Sequence, residues 1–295
     1  MVTVVFAGMV LLTACADASG EETSAPTATS ADDADSLSST LDPCAKPNLT
    51  TVEPGALTFA TSAVPAPPYF LTDEPADRLG LEADLAYVLA EQLGYRPGEV
   101  TWEFVAADQI LAGEFTDFDV ALGGYTASSS SGSPVEFTRP YLASDLVLLS
   151  DSPAVAGALN GTATEDSPAL DPMQLRWATR GNGPAALGPM GEGPMIRGTV
   201  VFDGADQLVA DAPIRRSADV VVVDEWIASW LSDVANEEIP VVSGLDVGAT
   251  EYVMAVVAGN PLLPCVDRAL EEMSETGSLA QLRERWGDPA QWRED

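Results

Sequence analysis

Ser217-Ala218-Asp219-Val220-Val221-Val222-Val223-Asp224 decides the fold of this chain. Four consecutive β-branched residues are stiff at χ1 and favour extended backbone. An unbroken apolar run of this length, with no polar residue alternating through it, reads as a central strand buried on both faces. Trp226–Val234 follows with helical spacing. A strand covered on both sides and followed at once by a helix predicts an open, parallel α/β sheet. Asp224 then stands at the carboxyl end of the strand, where open α/β sheets present their ligand crevices. A carboxylate there is costly unless it meets a cation. It is equally placed to cap the helix that starts at Glu225-Trp226.

Working outward, strand and helix signals alternate. Ala56–Thr61 is a short β-rich run stopped by Pro65-Ala66-Pro67-Pro68. Leu81, Leu85, Val88, Leu89 and Leu93 share one helical stripe that stops at Gly94, a residue suited to the position just past a helix end. Val100–Phe104 reads as a second strand, Asp108–Ala112 as a short helix, and Phe118–Leu122 as a third strand ending at Gly123-Gly124. Leu146–Leu149 is a fourth apolar run, and the stretch from Ser150 to Pro172 is polar and irregular. Leu175–Thr179 and Thr199–Phe202 begin a second alternating unit, and Tyr252–Val257 is one more strand. Two helices follow, Pro264–Met273 with proline in the first turn and Ser278–Trp286, separated by Gly277. Two such units predict two lobes facing a cleft.

The first residues read differently. The apolar stretch from Val2 to Leu12 is about half the length a bilayer span needs. It fits the hydrophobic region of a secretory signal over residues 1–14, although no Lys or Arg precedes it. Leu12-Thr13-Ala14-Cys15 resembles a bacterial lipobox, which would make Cys15 the acylated first residue of the mature protein, held to the membrane by lipid alone. A non-lipidated signal or a fortuitous apolar start is the alternative. Residues 15–50 would then be a lipidated terminus and a spacer. Its stretch 16–43 carries seven acids and no base, a composition that cannot bury enough to offset chain entropy.

The chain has 46 acids against 13 bases, a formal net charge of −33. Nucleic acid is excluded as a partner, since nothing could neutralise a phosphate backbone, and anionic lipid surfaces are disfavoured likewise. With no histidine in the sequence, the commonest general base and zinc ligand are missing together, so neither metal nor cofactor is expected. Of three cysteines, acylation of Cys15 would leave Cys44 and Cys265 as a disulfide pair in an oxidising compartment; two unpaired buried thiols are the other reading. Pairing would place both ends of the folded region in one lobe.

Several segments together resemble the family-3 extracellular solute-binding proteins, the polar-amino-acid receptors of ABC importers. They are Leu57–Thr61, Pro67-Pro68-Tyr69, Leu79–Ala86, Phe118-Asp119-Val120, Val135–Tyr141, Ser217–Asp224, Gly259–Leu263, Gly277-Ser278-Leu279 and Arg285-Trp286-Gly287, and they cover nearly all of Gly55–Gly287. The resemblance implies a type II periplasmic-binding-protein-like α/β fold of two lobes, residues 51–149 with 252–295 and residues 150–251. Two crossover strands, Leu146–Ser150 and Tyr252–Val256, would form the hinge. It also fits the lipobox, the spacer and the cysteine pair.

The resemblance further implies which residues meet ligand. Asp224 holds a ligand ammonium, Tyr69 lies against the ligand side chain, and Tyr125 lines the cleft. Thr126 and Ser128 offer hydroxyls to a carboxylate. The family's carboxylate-clamping Arg is replaced by Ser131, so Arg139 or Arg180 would have to substitute, or the ligand lacks an α-carboxylate. For Arg139 an ordinary surface salt bridge is the competing role, and for Tyr69 core packing. The expected function is a non-catalytic, monomeric receptor, lipid-anchored outside the cell membrane. It would bind an amino acid or related amine and pass it to an ABC permease. An orphan sensor or scaffold on the same fold is the alternative. A dehydratase-like enzyme would draw on Glu82, Glu192 and Asp224 as its only candidate acids. If Asp224 serves the ligand alone, Asp224→Ala abolishes a ligand-induced thermal shift and leaves unliganded melting unchanged.

Overall fold

The computed structural model describes residues 42–62, 64–126, 134–150, 152–159, 175–180, 200–202, 218–233, 241–242 and 249–287. Cys15, the signal and spacer up to residue 41, Ser128, Ser131 and Glu192 lie outside these residues. In chain order the strands and helices are β1 (Leu57–Thr61), α1 (Leu81–Gln92), β2 (Val100–Phe104), α2 (Ala107–Leu111), β3 (Val120–Thr126), β4 (Val135–Phe137), β5 (Leu142–Leu149), α3 (Pro153–Leu159), β6 (Trp177–Arg180), β7 (Val200–Phe202), β8 (Val220–Asp224), α4 (Glu225–Asp233), β9 (Val241–Val242), β10 (Ala249–Val257), α5 (Leu263–Glu275) and α6 (Ser278–Gly287). The strands hydrogen-bond in the order β2-β1-β3-β10-β5-β8-β6-β7, with β4 also on β10 and β9 also on β5.

The α/β class holds, but the sheet is mixed rather than parallel. Parallel pairing joins β1 to β2 and β3, and β6 to β7 and β8. Between these sets stand β10 and β5, each antiparallel to its neighbours. Leu142–Asp145 of β5 pair with β10, and Leu146–Leu149 of the same strand pair with β8. Strand direction is set by the connections, which an apolar run in sequence does not encode.

The valine run behaves as its composition demands. Val220 and Val222 face a cluster with Leu146, Leu148, Val155, Leu175 and Trp177, while Val221 and Val223 face the larger core with Ile227, Trp230 and Leu231. Full burial of each valine stabilises by roughly 1.5–3 kcal/mol. Helix α1 is buried more widely than its leucine stripe predicts, because Ala83, Ala86 and Ala90 are small enough for close approach on their faces. It packs against α5 and α6. Its Asp84 accepts hydrogen bonds from Arg78, from Arg285 Nη1 at 2.6 Å and from Trp286 Nε1 at 3.1 Å. A disulfide links Cys44 to Cys265 on α5, with Cα atoms 5.2 Å apart across 221 residues. Residue 44 and the last two helices are therefore fastened to the same body.

Three local expectations change. β3 runs through Gly123-Gly124 instead of ending there. Tyr125 pairs with Val253 and Ala121 with Ala255, so Leu122, Gly123 and Gly124 stand opposite Met254 alone. The glycines, at φ 149° and 69°, supply the backbone freedom that this bulge needs. Part of the stretch expected to be irregular forms α3, whose Ser152 Oγ accepts from Val155 N at 3.3 Å, with proline as the first helical residue. Strands β4 and β9 are too short for a periodic signal. No described helix is long and apolar enough to cross a membrane.

Candidate functional site

Asp224 ends β8 with its side chain 2% exposed, and every described bond to it has a clear origin in the local fold. Oδ1 accepts from the backbone N–H of Trp226 at 2.9 Å and of Ile227 at 3.1 Å, satisfying two donors that the first turn of α4 leaves without intrahelical partners. Oδ2 accepts from the hydroxyl of Tyr252 at 2.7 Å. Tyr252 lies on β10, paired with Thr126 of β3 on one side and Leu142 of β5 on the other. The carboxyl end of β8 is thereby joined to the part of the sheet built on β1 and β3.

From Tyr252 the contacts continue through aromatic rings. Tyr69 lies 5.6 Å away and Tyr141 6.5 Å away, centroid to centroid. The Tyr141 hydroxyl donates to Glu82 Oε1 at 2.5 Å, and the same oxygen accepts from Gly124 N in the β3 bulge at 3.0 Å. All of these side chains are buried. The result is a continuous cluster, Glu82–Tyr141–Tyr252–Asp224 with Tyr69 against it, placed where β3, β10, β5 and β8 meet.

Tyr69 is held there by α1. Its carbonyl oxygen accepts from Glu82 N at 3.0 Å and Ala83 N at 3.3 Å, so the Pro-rich turn sits on the amino end of the helix. Gly80 makes this approach possible: at φ 112°, a Cβ on it would stand 2.4 Å from that oxygen. Thr126 pairs directly with Tyr252 and is 2% exposed. Tyr125, next to it, points into the core on the other face with Ala60, Ile110, Phe118 and Val253. Burial, with a smaller effect from the Glu82 charge, pushes its phenol pKa up.

The two arginines do not join this cluster in the described residues. Arg139 pairs with Glu271 at 3.1 Å on the exposed side of α5, and its backbone N–H donates to Asp267 there at 2.7 Å. That is the surface salt bridge, drawn by the acids of α5. Arg180 ends β6, beside β8; its side chain and Ser128 lie outside the described residues. Sequence reading gave no role to Tyr252 or Tyr141 and placed Glu82 only among candidate catalytic acids. Tyr252 had a weak signal, a lone aromatic residue within an apolar crossover strand.

Two buried carboxylates among three tyrosine rings make a surface chemistry for holding a cationic or hydrogen-bonding solute, since carboxylates and aromatic faces both attract cations. Among the described residues no group of three or more His, Cys, Asp or Glu is arranged to hold a metal ion.

Comparison with known proteins agrees with this geometry. The sequence model of the bacterial extracellular solute-binding proteins, family 3, matches residues 57–289. Among solved structures, an ancestral amino acid-binding protein, AncCDT-1, a precursor of cyclohexadienyl dehydratase, superposes with a TM-score of 0.57 at 21% identity, covering 79% of this chain and 96% of that one. The arginine-, lysine-, histidine-binding protein ArtJ from the thermophilic bacterium Geobacillus stearothermophilus gives 0.57 at 15% identity, with 79% and 96% covered. The GluR0 ligand-binding core from Nostoc punctiforme, in complex with L-glutamate, gives 0.57 at 16% identity, with 79% and 100% covered. At such identities the likeness is one of fold. No curated protein sequence matches the chain.

Proposed function

Because this chain belongs to the bacterial extracellular solute-binding proteins of family 3, we propose that it is the receptor of an ABC importer, capturing an amino acid or related amine outside the membrane. The observation that carries the reading is the meeting of Asp224 and Tyr252 at the strand ends, backed by Tyr69, Tyr141 and Glu82. A ligand ammonium would take up the Asp224 carboxylate in competition with the Tyr252 hydroxyl. Relatives in fold include proteins described as binding arginine, lysine and histidine, and one ancestral arginine-binding protein bound to glutamine. With Ser131 in place of the family's carboxylate clamp, recognition here would rest on the amine end.

In this reading residues 51–149 with 252–295 form one lobe and 150–251 the other, hinged at Leu146–Ser150 and Tyr252–Val256. The passage of β5 from β10 to β8 supports that division. Family 3 members are extracytoplasmic, and a lipid on Cys15 would hold this one at the membrane as a monomer beside its permease. Binding alone, without chemistry on the solute, is the proposed activity. Micromolar affinity corresponds to about −8 kcal/mol, within reach of a few desolvated charge-assisted bonds and one aromatic contact.

A thermal-shift screen over amino acids, polyamines and small cations tests the proposal. A true ligand at a hundred times its Kd stabilises the native state by about 2.7 kcal/mol and raises Tm for one chemical class. A flat response across the screen rejects the receptor. It would favour the second reading, an orphan sensor or scaffold, for which the mutual satisfaction of Asp224 and Tyr252 in a closed cluster already speaks.

A further inference from the structure

Two buried hydroxyls stand out from an otherwise well-paired interior. Thr61 Oγ1, 1% exposed, and Tyr125 Oη, also 1% exposed by residue, have no hydrogen-bond partner among the described residues. Buried hydroxyls are nearly always paired, and one left alone marks a group kept for something other than the resting fold. These two are neighbours. A methyl group placed on Gly123 would lie 3.8 Å from Thr61 Oγ1, 3.8 Å from Tyr125 Cε2 and 3.4 Å from Ser62 Oγ, so three hydroxyl-bearing residues surround one bare glycine. Thr61 ends β1, and Gly123 and Tyr125 stand in the last four residues of β3. These are parallel strands, and their carboxyl ends are where a crevice forms.

The charge beside this place has one sign. Gly124 N, the next residue along, donates to Glu82 Oε1 at 3.0 Å, and the Glu82 charge contributes to the raised pKa of Tyr125. A ligand carboxylate brought here would face that anion at low dielectric, whereas an ammonium would gain from it. An ammonium also offers three donors, and Thr61, Ser62 and Tyr125 offer three hydroxyl oxygens to accept them. A phenol held neutral by burial keeps its acceptor lone pairs while adding no competing charge.

We propose that Thr61, Ser62 and Tyr125 form a hydroxyl-lined subsite around Gly123 that takes a primary ammonium of the solute, with Glu82 as the nearby counter-charge. This rests on the receptor reading and names the chemistry of one end of its ligand. It also explains why polar atoms persist at two positions where Val and Phe would fill the same space.

The test uses Thr61→Val and Tyr125→Phe in the full chain, with putrescine and succinate as probes of equal carbon length and opposite charge. Removing an unpaired buried hydroxyl while keeping its shape is neutral or stabilising, so each unliganded variant should melt at or up to about 4 °C above wild type. Putrescine should raise the wild-type Tm and succinate should not. Each variant should bind putrescine about tenfold more weakly by calorimetry. Variants that melt well below wild type would show that the hydroxyls are bonded in the resting protein and overturn the subsite. So would variants with undiminished putrescine affinity, or a wild type that answers to succinate in place of putrescine. If wild type instead binds L-glutamine and both variants bind it equally well, the subsite falls and the receptor reading stands. A wild type inert to these probes and to every amino acid rejects both.

Discussion

Replacing Asp224 by Ala should unfold more than a ligand contact. Both oxygens are in use: one caps α4 through Trp226 N and Ile227 N, the other receives the Tyr252 hydroxyl at 2.7 Å. Losing the cap costs about 1 kcal/mol. Leaving a buried tyrosine hydroxyl without its acceptor costs about 1–3 kcal/mol more. The sum, roughly 2–4 kcal/mol, corresponds to about 4–16 °C in Tm for a body of this size. Urea unfolding followed by far-UV circular dichroism would show the midpoint fall with the slope unchanged. Asp224→Asn, which keeps an oxygen for the cap, should lose about 1 kcal/mol or less. The double variant Asp224→Ala/Tyr252→Phe isolates the pair, and a coupling of about 1–3 kcal/mol is expected. An Asp224→Ala variant as stable as wild type would refute the capping geometry and restore the sequence-based expectation that this carboxylate serves ligand alone.

Three further outcomes follow from particular contacts. Reduction of Cys44–Cys265, or its replacement by two serines, should cost about 2–5 kcal/mol, read as a lower Tm in dithiothreitol; an unchanged Tm would mean that α5 is fastened by packing alone. Gly80→Ala should destabilise by about 2–4 kcal/mol, because its Cβ would press on the Tyr69 carbonyl 2.4 Å away at a φ of 112°, and soluble, wild-type-like unfolding would contradict that approach. Hydrogen bonds from Arg176, Arg268 and Lys46 hold the carboxyls of Asp219, Asp42 and Glu99 below their usual range. Their stabilisation is complete above the unfolded values, near pH 4, and is lost as pH falls through the lower folded ones. Urea midpoints should therefore drop between pH 5 and 3, less steeply in Asp219→Asn. A variant with the wild-type slope would remove the Arg176 pair from that account.

What the sequence discloses divides by range. The burial of β8 is legible because four adjacent valines carry it, and α1 and α5 are legible because one turn predicts the next. Gly94 and Gly277 mark helix ends for the same local reason, each at positive φ. The site is legible only in part. Asp224 meets Tyr252 across 28 residues and Glu82 meets Tyr141 across 59, and no periodicity links residues that far apart. Gly123-Gly124 reads equally well as a strand end or as a bulge until β10 is laid beside it. Arg139 belongs to the general demand of an acidic surface for cations, which its sequence neighbours cannot distinguish from a binding role.

That shortage of cations gives the site its character. With 13 bases against 46 acids, where guanidinium groups are placed is informative. Asp84, in the first turn of α1, is met by two of them, Arg78 and Arg285, and is thereby fixed as a joint between α1 and α6. Two residues earlier Glu82 receives its described hydrogen bonds from a backbone N–H and a tyrosine hydroxyl, and Asp224 receives its own from the same two kinds of donor. Neutral donors satisfy the lone pairs of a carboxylate and leave its net charge in place. A cation 4 Å from such a charge still gains about 4 kcal/mol at an effective dielectric of 20, enough to shift an equilibrium by nearly a thousandfold. Asp84 has little of that attraction left to offer. Glu82 and Asp224 retain theirs at the strand ends, so an amine arriving there adds a charge interaction that Tyr141 and Tyr252 cannot supply.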